Sequence, residues 1–113
     1  MHELSIVMSI VDIATKQTKQ AEAKEVEQIE LVIGELSGIE MNSFDFAWKQ
    51  GIRDTVLQNA ELLITRPNGL GQCIDCETVF PMHQLFDACT NCGSHLVGIK
   101  QGKEMKVNAL VVK

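Results

Sequence analysis

The chain has 113 residues, 45% of them hydrophobic but only 4% aromatic, and a formal charge of −5 at pH 7. That length allows one ordinary domain with at most a smaller insertion, and that composition calls for a core of Leu, Ile, Val and Met. The acidic balance disfavours non-specific nucleic-acid binding; no apolar run reaches the roughly 18 residues of a membrane span, and His2, Glu3 and Asp12 spoil a secretory leader, so a cytoplasmic protein is expected.

Apolar residues fall at Leu4, Val7, Met8, Val11 and Ala14, three and four apart, which predicts an amphipathic helix over about residues 3–21. Glu3 sits in its first turn, where a negative charge favours the helix dipole. Val26 to Ile33 reads as a strand with Ile29, Leu31 and Ile33 on one side, ended by Gly34. A loop with two glycines follows, and Asn42 or Ser43 is the expected cap of a second helix bearing Phe44, Ala47, Trp48, Ile52 and Val56. Ala60, Leu62 and Ile64 alternate with Glu61, Leu63 and Thr65 in a second strand. The segment Arg66 to Gly71 breaks the pattern and the cysteine region follows. A last strand runs from about Glu104 to Val112, with Met105, Val107, Ala109 and Val111 facing one way and Glu104, Lys106 and Asn108 the other.

The expected fold class is α/β in the α+β sense: a two-layer domain of a three-stranded sheet and two helices, with an inserted four-cysteine zinc-ribbon-like domain. The α/β domain covers residues 1–66 and is completed by the strand 104–113; the zinc-binding domain covers 67–103. The insertion has too few apolar residues to be expected to fold on a core of its own.

Cys73, Cys76, Cys89 and Cys92 form two Cys-x2-Cys pairs separated by twelve residues, and they are the only cysteines. Each pair makes a tight knuckle aiming two sulfurs at one point, and two knuckles complete the tetrahedron of a closed structural zinc site. Two disulfides fit poorly in a chain with no mark of export, and redox chemistry needs only one pair. Iron in a four-thiolate site is the nearest chemical rival. With zinc on four thiolates the chain carries about −7.

His83 and His95 read as solvated loop histidines. His2 is placed differently, one residue from the α-amino group. Its imidazole, that amine and nearby backbone nitrogens can together form a planar nitrogen site, which suits nickel(II) or copper(II) and not zinc.

Three features coincide: Met1-His2-Glu3 running into an amphipathic helix, the segment Ile33-Gly34-Glu35-Leu36-Ser37, and the late cysteine box followed by Gly102-Lys103-Glu104-Met105. Together they resemble the HypA/HybF family of hydrogenase nickel-incorporation proteins, over nearly the whole chain and in order. The resemblance implies a nickel metallochaperone for [NiFe]-hydrogenase maturation, with urease as a second client in some members. It assigns nickel to the amine of Met1, the amides of His2 and Glu3 and the His2 imidazole. An acidic residue before the second helix belongs with that site, and Glu40 stands there. It assigns structural zinc to Cys73, Cys76, Cys89 and Cys92. The implied partners are a HypB-like GTPase and the hydrogenase large subunit, with the chain a monomer or a homodimer. One departure from the family is the lack of a histidine just after the first cysteine pair, where Glu77 and Thr78 stand.

The rival readings are a zinc-ribbon adaptor or nucleic-acid-binding module without nickel. The stretch from Gly71 to Gly98 holds no Lys or Arg, which argues against a nucleic-acid partner. No nucleophile–base pair or phosphate-binding glycine loop suggests an enzyme.

Overall fold

A computed structural model describes residues 3–113. The elements run α1 (Glu3–Gln20), β1 (Val26–Ile33), α2 (Met41–Gly51), β2 (Glu61–Thr65), β3 (Leu70–Cys73), β4 (Val79–Pro81), β5 (Val97–Gln101) and β6 (Met105–Val112). They form two three-stranded sheets, ordered β2-β1-β6 and β4-β3-β5. The described residues divide into two compact units. One holds the chain up to Leu31 with Ile39–Ile64 and Val107–Lys113; the other holds Val32–Gly38 and Thr65–Lys106. The α+β class with a four-cysteine cluster is as expected from the sequence.

In the first unit α1 and α2 pack on each other. The buried stripe of α1 is Glu3, Val7, Ile10, Val11, Ala14 and Thr18. This differs from the expected face, because Leu4 and Met8 are 44% and 47% exposed. The stripe is centred between the Val7 and Ile10 rows, which leaves Leu4 and Met8 at its margin. Thr18 can join it because its hydroxyl donates to the Ala14 carbonyl at 2.7 Å.

On α2, Phe44, Ala47 and Trp48 are buried, and the Phe44 and Trp48 rings stack with centroids 6.0 Å apart. The helix stops at Gly51, before Val56, and the backbone turns through Asp54 at φ 59°. Leu57, beyond the helix, is fully buried. The N-cap is Glu40, not Asn42 or Ser43. Its longer side chain reaches back to accept from the backbone N–H groups of Asn42 and Ser43 at 3.2 and 2.6 Å.

Lys113 N–H donates to the Glu25 carbonyl at 2.9 Å, and Lys24 N–H to the Lys113 carbonyl at 2.8 Å. The end of β6 therefore lies at the start of β1, and the two strands run antiparallel. Burial along β6 changes sides in its second half: Met105 and Val107 are half-buried, then Leu110 and Val112 are, whereas Ala109 and Val111 are exposed. Both sets are apolar, so alternation in the sequence could not choose between the faces.

The second unit is an antiparallel sheet in which Gly71 of β3 opposes Phe80 of β4 and Ile99 of β5. It has a small core after all: Leu36, Cys73, Phe80, Met82 and Cys89, with Val97 and Ile99 packed against them. Two of those five residues are cysteines, and Leu36 comes from far upstream, so no local count of apolar residues reveals this cluster. Gly34 and Gly102 allow three segments to meet. Leu36 N–H donates to the Gly102 carbonyl at 2.7 Å and Gly34 N–H to the Glu104 carbonyl at 2.8 Å. A Cβ on Gly34 would collide with the Gly102 carbonyl, and Gly102 itself has φ 115°.

Candidate metal centres

The two cysteine pairs are built alike, and the likeness runs through the backbone. Cys73 N–H donates to the Thr78 carbonyl and Cys89 N–H to the Ser94 carbonyl, both at 2.9 Å. Glu77 N–H returns to the Cys73 carbonyl and Gly93 N–H to the Cys89 carbonyl, again both at 2.9 Å. The fourth residue after the first cysteine has positive φ in each knuckle, 63° at Glu77 and 76° at Gly93. The second cysteine's N–H points at the first cysteine's Sγ at 3.5 Å in both, Cys76 to Cys73 and Cys92 to Cys89. Such N–H···S bonds stabilise sulfur in its thiolate form.

The knuckles present their sulfurs to one point. Cys73 Sγ lies 3.6 Å from Cys92 Sγ, and Cys76 Sγ 3.6 Å from Cys89 Sγ. All four sulfurs are within 4.8 Å of one another. A tetrahedron with zinc–sulfur bonds of about 2.3 Å has sulfurs about 3.8 Å apart. The cysteines are unbonded to each other, at separations far beyond the roughly 2.05 Å of a disulfide. The arrangement thus fits zinc on Cys73, Cys76, Cys89 and Cys92, with all four positions filled by protein and none left for a substrate.

Hydrogen bonding and crowding move the thiols in opposite directions. The Thr78 hydroxyl and amide, with the Asn91 amide, bring the Cys76 thiol down to about 6. At Cys92 the Ser94 backbone acts in the lowering direction but is outweighed by the thiols of Cys73, Cys76 and Cys89 and by desolvation, which together push it up to about 12. Four sulfurs this close ionise together only around a divalent ion.

Sequence reasoning missed the groups that tie the knuckles together. Ser94 Oγ donates to Asp75 Oδ2 at 2.6 Å, linking the second knuckle to the first. Asn91 Nδ2 lies 3.6 Å from Cys76 Sγ. A signal was available in the paired pattern, Cys-x2-Cys-Glu-Thr and Cys-x2-Cys-Gly-Ser, whose hydroxyl residues stand in matching places. His83 and His95 are exposed and outside the sulfur cluster.

The other candidate centre is at the head of α1. Met1 and His2 lie outside the described residues. Glu3 is buried at 8% exposure, and its Oε2 accepts from the Glu40 N–H at 3.4 Å. The two acidic residues singled out for nickel are therefore brought together from 37 positions apart. The Glu40 carboxyl is held below its ordinary 4.5 by hydrogen bonds from Ser43, backbone first and side chain next, and from the Asn42 backbone.

A family profile described as hydrogenase/urease nickel incorporation, metallochaperone, hypA, matches residues 1–112. The chain is 46% identical to the hydrogenase maturation factor HypA of Parabacteroides distasonis, covering 100% of this chain and 98% of that protein. It is 37% identical to the HypA of Prosthecochloris aestuarii, covering each fully. Among solved structures, the solution structure of the nickel metallochaperone HypA from Helicobacter pylori superposes with a TM-score of 0.70 at 30% identity, over 99% of this chain and 97% of that one.

Proposed function

From the chain's membership of the HypA family of hydrogenase maturation nickel metallochaperones, we propose that it takes nickel(II) at its N-terminus and hands it on during assembly of a [NiFe]-hydrogenase, with urease as a second client. Nickel is cargo here, and zinc is a resident structural ion. The proposed nickel donors are the Met1 amine, the His2 and Glu3 amides and the His2 imidazole. The observation that carries the reading is the hydrogen bond from the Glu40 N–H to the Glu3 carboxylate, which fastens Glu3, whose amide is among the proposed donors, to the N-terminus of α2. Glu40 uses its carboxylate to cap α2; its contribution to nickel is electrostatic, a negative charge beside a cation.

Carriage needs an ion that can leave. Donors at a chain end can be replaced one at a time by an approaching partner, whereas four sulfurs fixed by paired knuckles cannot. Bound backbone amides are deprotonated, so acid returns their protons and releases nickel. Bound zinc supplies a cross-link between the knuckles, and the chain performs no catalysis. The proposed partners are a HypB-like GTPase and the hydrogenase large subunit, met in the cytoplasm, with the carrier a monomer or homodimer. Among the described residues no helix is long and apolar enough to cross a membrane.

The test is nickel titration of the zinc-loaded chain with a native start. One nickel ion bound in the micromolar range or tighter is expected. His2→Ala, or a tag ahead of Met1, should abolish it without changing zinc content or helicity. Retained nickel binding in His2→Ala would defeat the assignment.

A further inference from the structure

The core of the zinc unit draws on Leu36, Phe80 and Met82, with Val97 and Ile99 against it, and leaves other large apolar side chains in water. Phe86 is 88% exposed and its neighbour Leu85 44%. They sit on an ordered turn. Asp87 Oδ2 accepts from the His83 and Gln84 N–H groups at 2.9 and 3.2 Å, and Asp87 N–H returns to the Gln84 carbonyl at 3.3 Å. A phenylalanine offers on the order of 200 Å² for burial. Holding one outward on a hydrogen-bonded turn lowers the ordering cost of placing it in a partner.

Charge says what kind of surface would cover it. From Gly71 to Gly98 there are three acids, Asp75, Glu77 and Asp87, and no Lys or Arg. Zinc on four thiolates adds roughly −2 to the same stretch. Ile74 and Leu96, 67% and 59% exposed and joined by a 2.8 Å backbone hydrogen bond, add apolar surface on the knuckles themselves. A second copy would bring the same negative charge, and an anionic membrane would repel it.

We propose that the Leu85–Phe86 turn is a docking anchor for a protein partner that presents an apolar cleft rimmed by Lys and Arg. This deepens the chaperone reading and rests on it, since it gives the zinc unit the task of recognising the protein to which nickel is delivered. Apolar contact at Phe86 sets residence time, and Asp87 on the turn with the other acids of this stretch speeds encounter.

The experiment uses the full, zinc-loaded chain with its native start. Its binding to the purified GTPase and to the purified hydrogenase large subunit is measured at low and high salt. Phe86→Ser should weaken binding to at least one of them tenfold or more, with zinc content, melting temperature and nickel uptake unchanged. Phe86→Tyr, which keeps the ring, should stay within about threefold. Raising salt should slow association of the wild-type chain. If Phe86→Ser proves to lose zinc, Leu85→Ser carries the same expectation. Wild-type affinity for both proteins in these Ser variants, no binding of either protein by the wild-type chain, or salt-independent association would each overturn the proposal. So would loss of self-association as the sole effect, which would make a second copy the occupant. Nickel uptake, measured alongside, separates the two ideas: its failure in the native-ended chain defeats the chaperone reading, whereas its success with unaltered partner binding in Phe86→Ser defeats only the anchor.

Discussion

Cys73→Ala tests how much of this chain depends on zinc. Cys73 is 1% exposed, supplies one of the four sulfurs, accepts the Cys76 N–H and packs in the core cluster of its unit. The fully apolar members of that cluster are Leu36, Phe80 and Met82. Each buried side chain of this kind contributes about 1.5–3 kcal/mol, whereas a structural zinc ion contributes on the order of 10 kcal/mol. Losing one sulfur from the cage therefore removes a contribution on the order of the burial of those three side chains together, and the zinc unit should unfold. The first unit should survive. Residues 66–104, between β2 and β6, would become one flexible connection of about 40 residues. Because each doubling of loop length adds only about 0.6 kcal/mol, the first unit should lose about 1–2 kcal/mol.

The single tryptophan makes the two units separable in solution. Trp48 is buried in the first unit and stacked on Phe44, so its emission reports that unit alone. In Cys73→Ala, zinc should be lost and the amides of Phe80 and Met82 should lose protection from hydrogen exchange. The denaturant transition followed by Trp48 should persist, slightly weakened. Stoichiometric zinc in the purified variant would refute the ligand assignment, and loss of the Trp48 transition would refute the independence of the first unit.

Three further substitutions probe backbone and charge. Gly34→Ala forces a methyl into the Gly102 carbonyl, and overpacking against backbone should cost about 1–3 kcal/mol or more by denaturant titration; Gly38→Ala, at φ 81° with open space around it, should cost only about 1 kcal/mol. Glu40 has its folded pKa lowered from 4.5, so the stability it contributes is complete above that value and is lost as pH falls through the lowered one. Melting temperature followed by circular dichroism should therefore fall more steeply below pH 4.5 in the wild-type chain than in Glu40→Gln; equal slopes would mean that the carboxylate charge does not support the cap.

Much of the chemistry could be read along the chain because it depends on residues close in sequence. A Cys-x2-Cys pair fixes two sulfurs within one short turn, so two such pairs announce a four-sulfur site before any fold is known. The strand periods at Ile29-Leu31-Ile33 and Leu62-Ile64, and the helical run from Val7 to Ala14, likewise follow from local alternation. What stayed hidden involved partners far apart or choices between equally apolar faces. Neither Ala109 nor Leu110 declares which side of β6 is inward; packing decides. The Glu40 cap, the Leu36 contribution to the zinc unit and the Asp75–Ser94 link each need positions that only the folded backbone brings together. Cysteine spacing along the chain determined the four-sulfur site, and nickel was legible only through the resemblance to a known family. The tertiary structure decided what stands beside those ligands, because charge, burial and hydrogen bonding are set by neighbours in space and not in sequence.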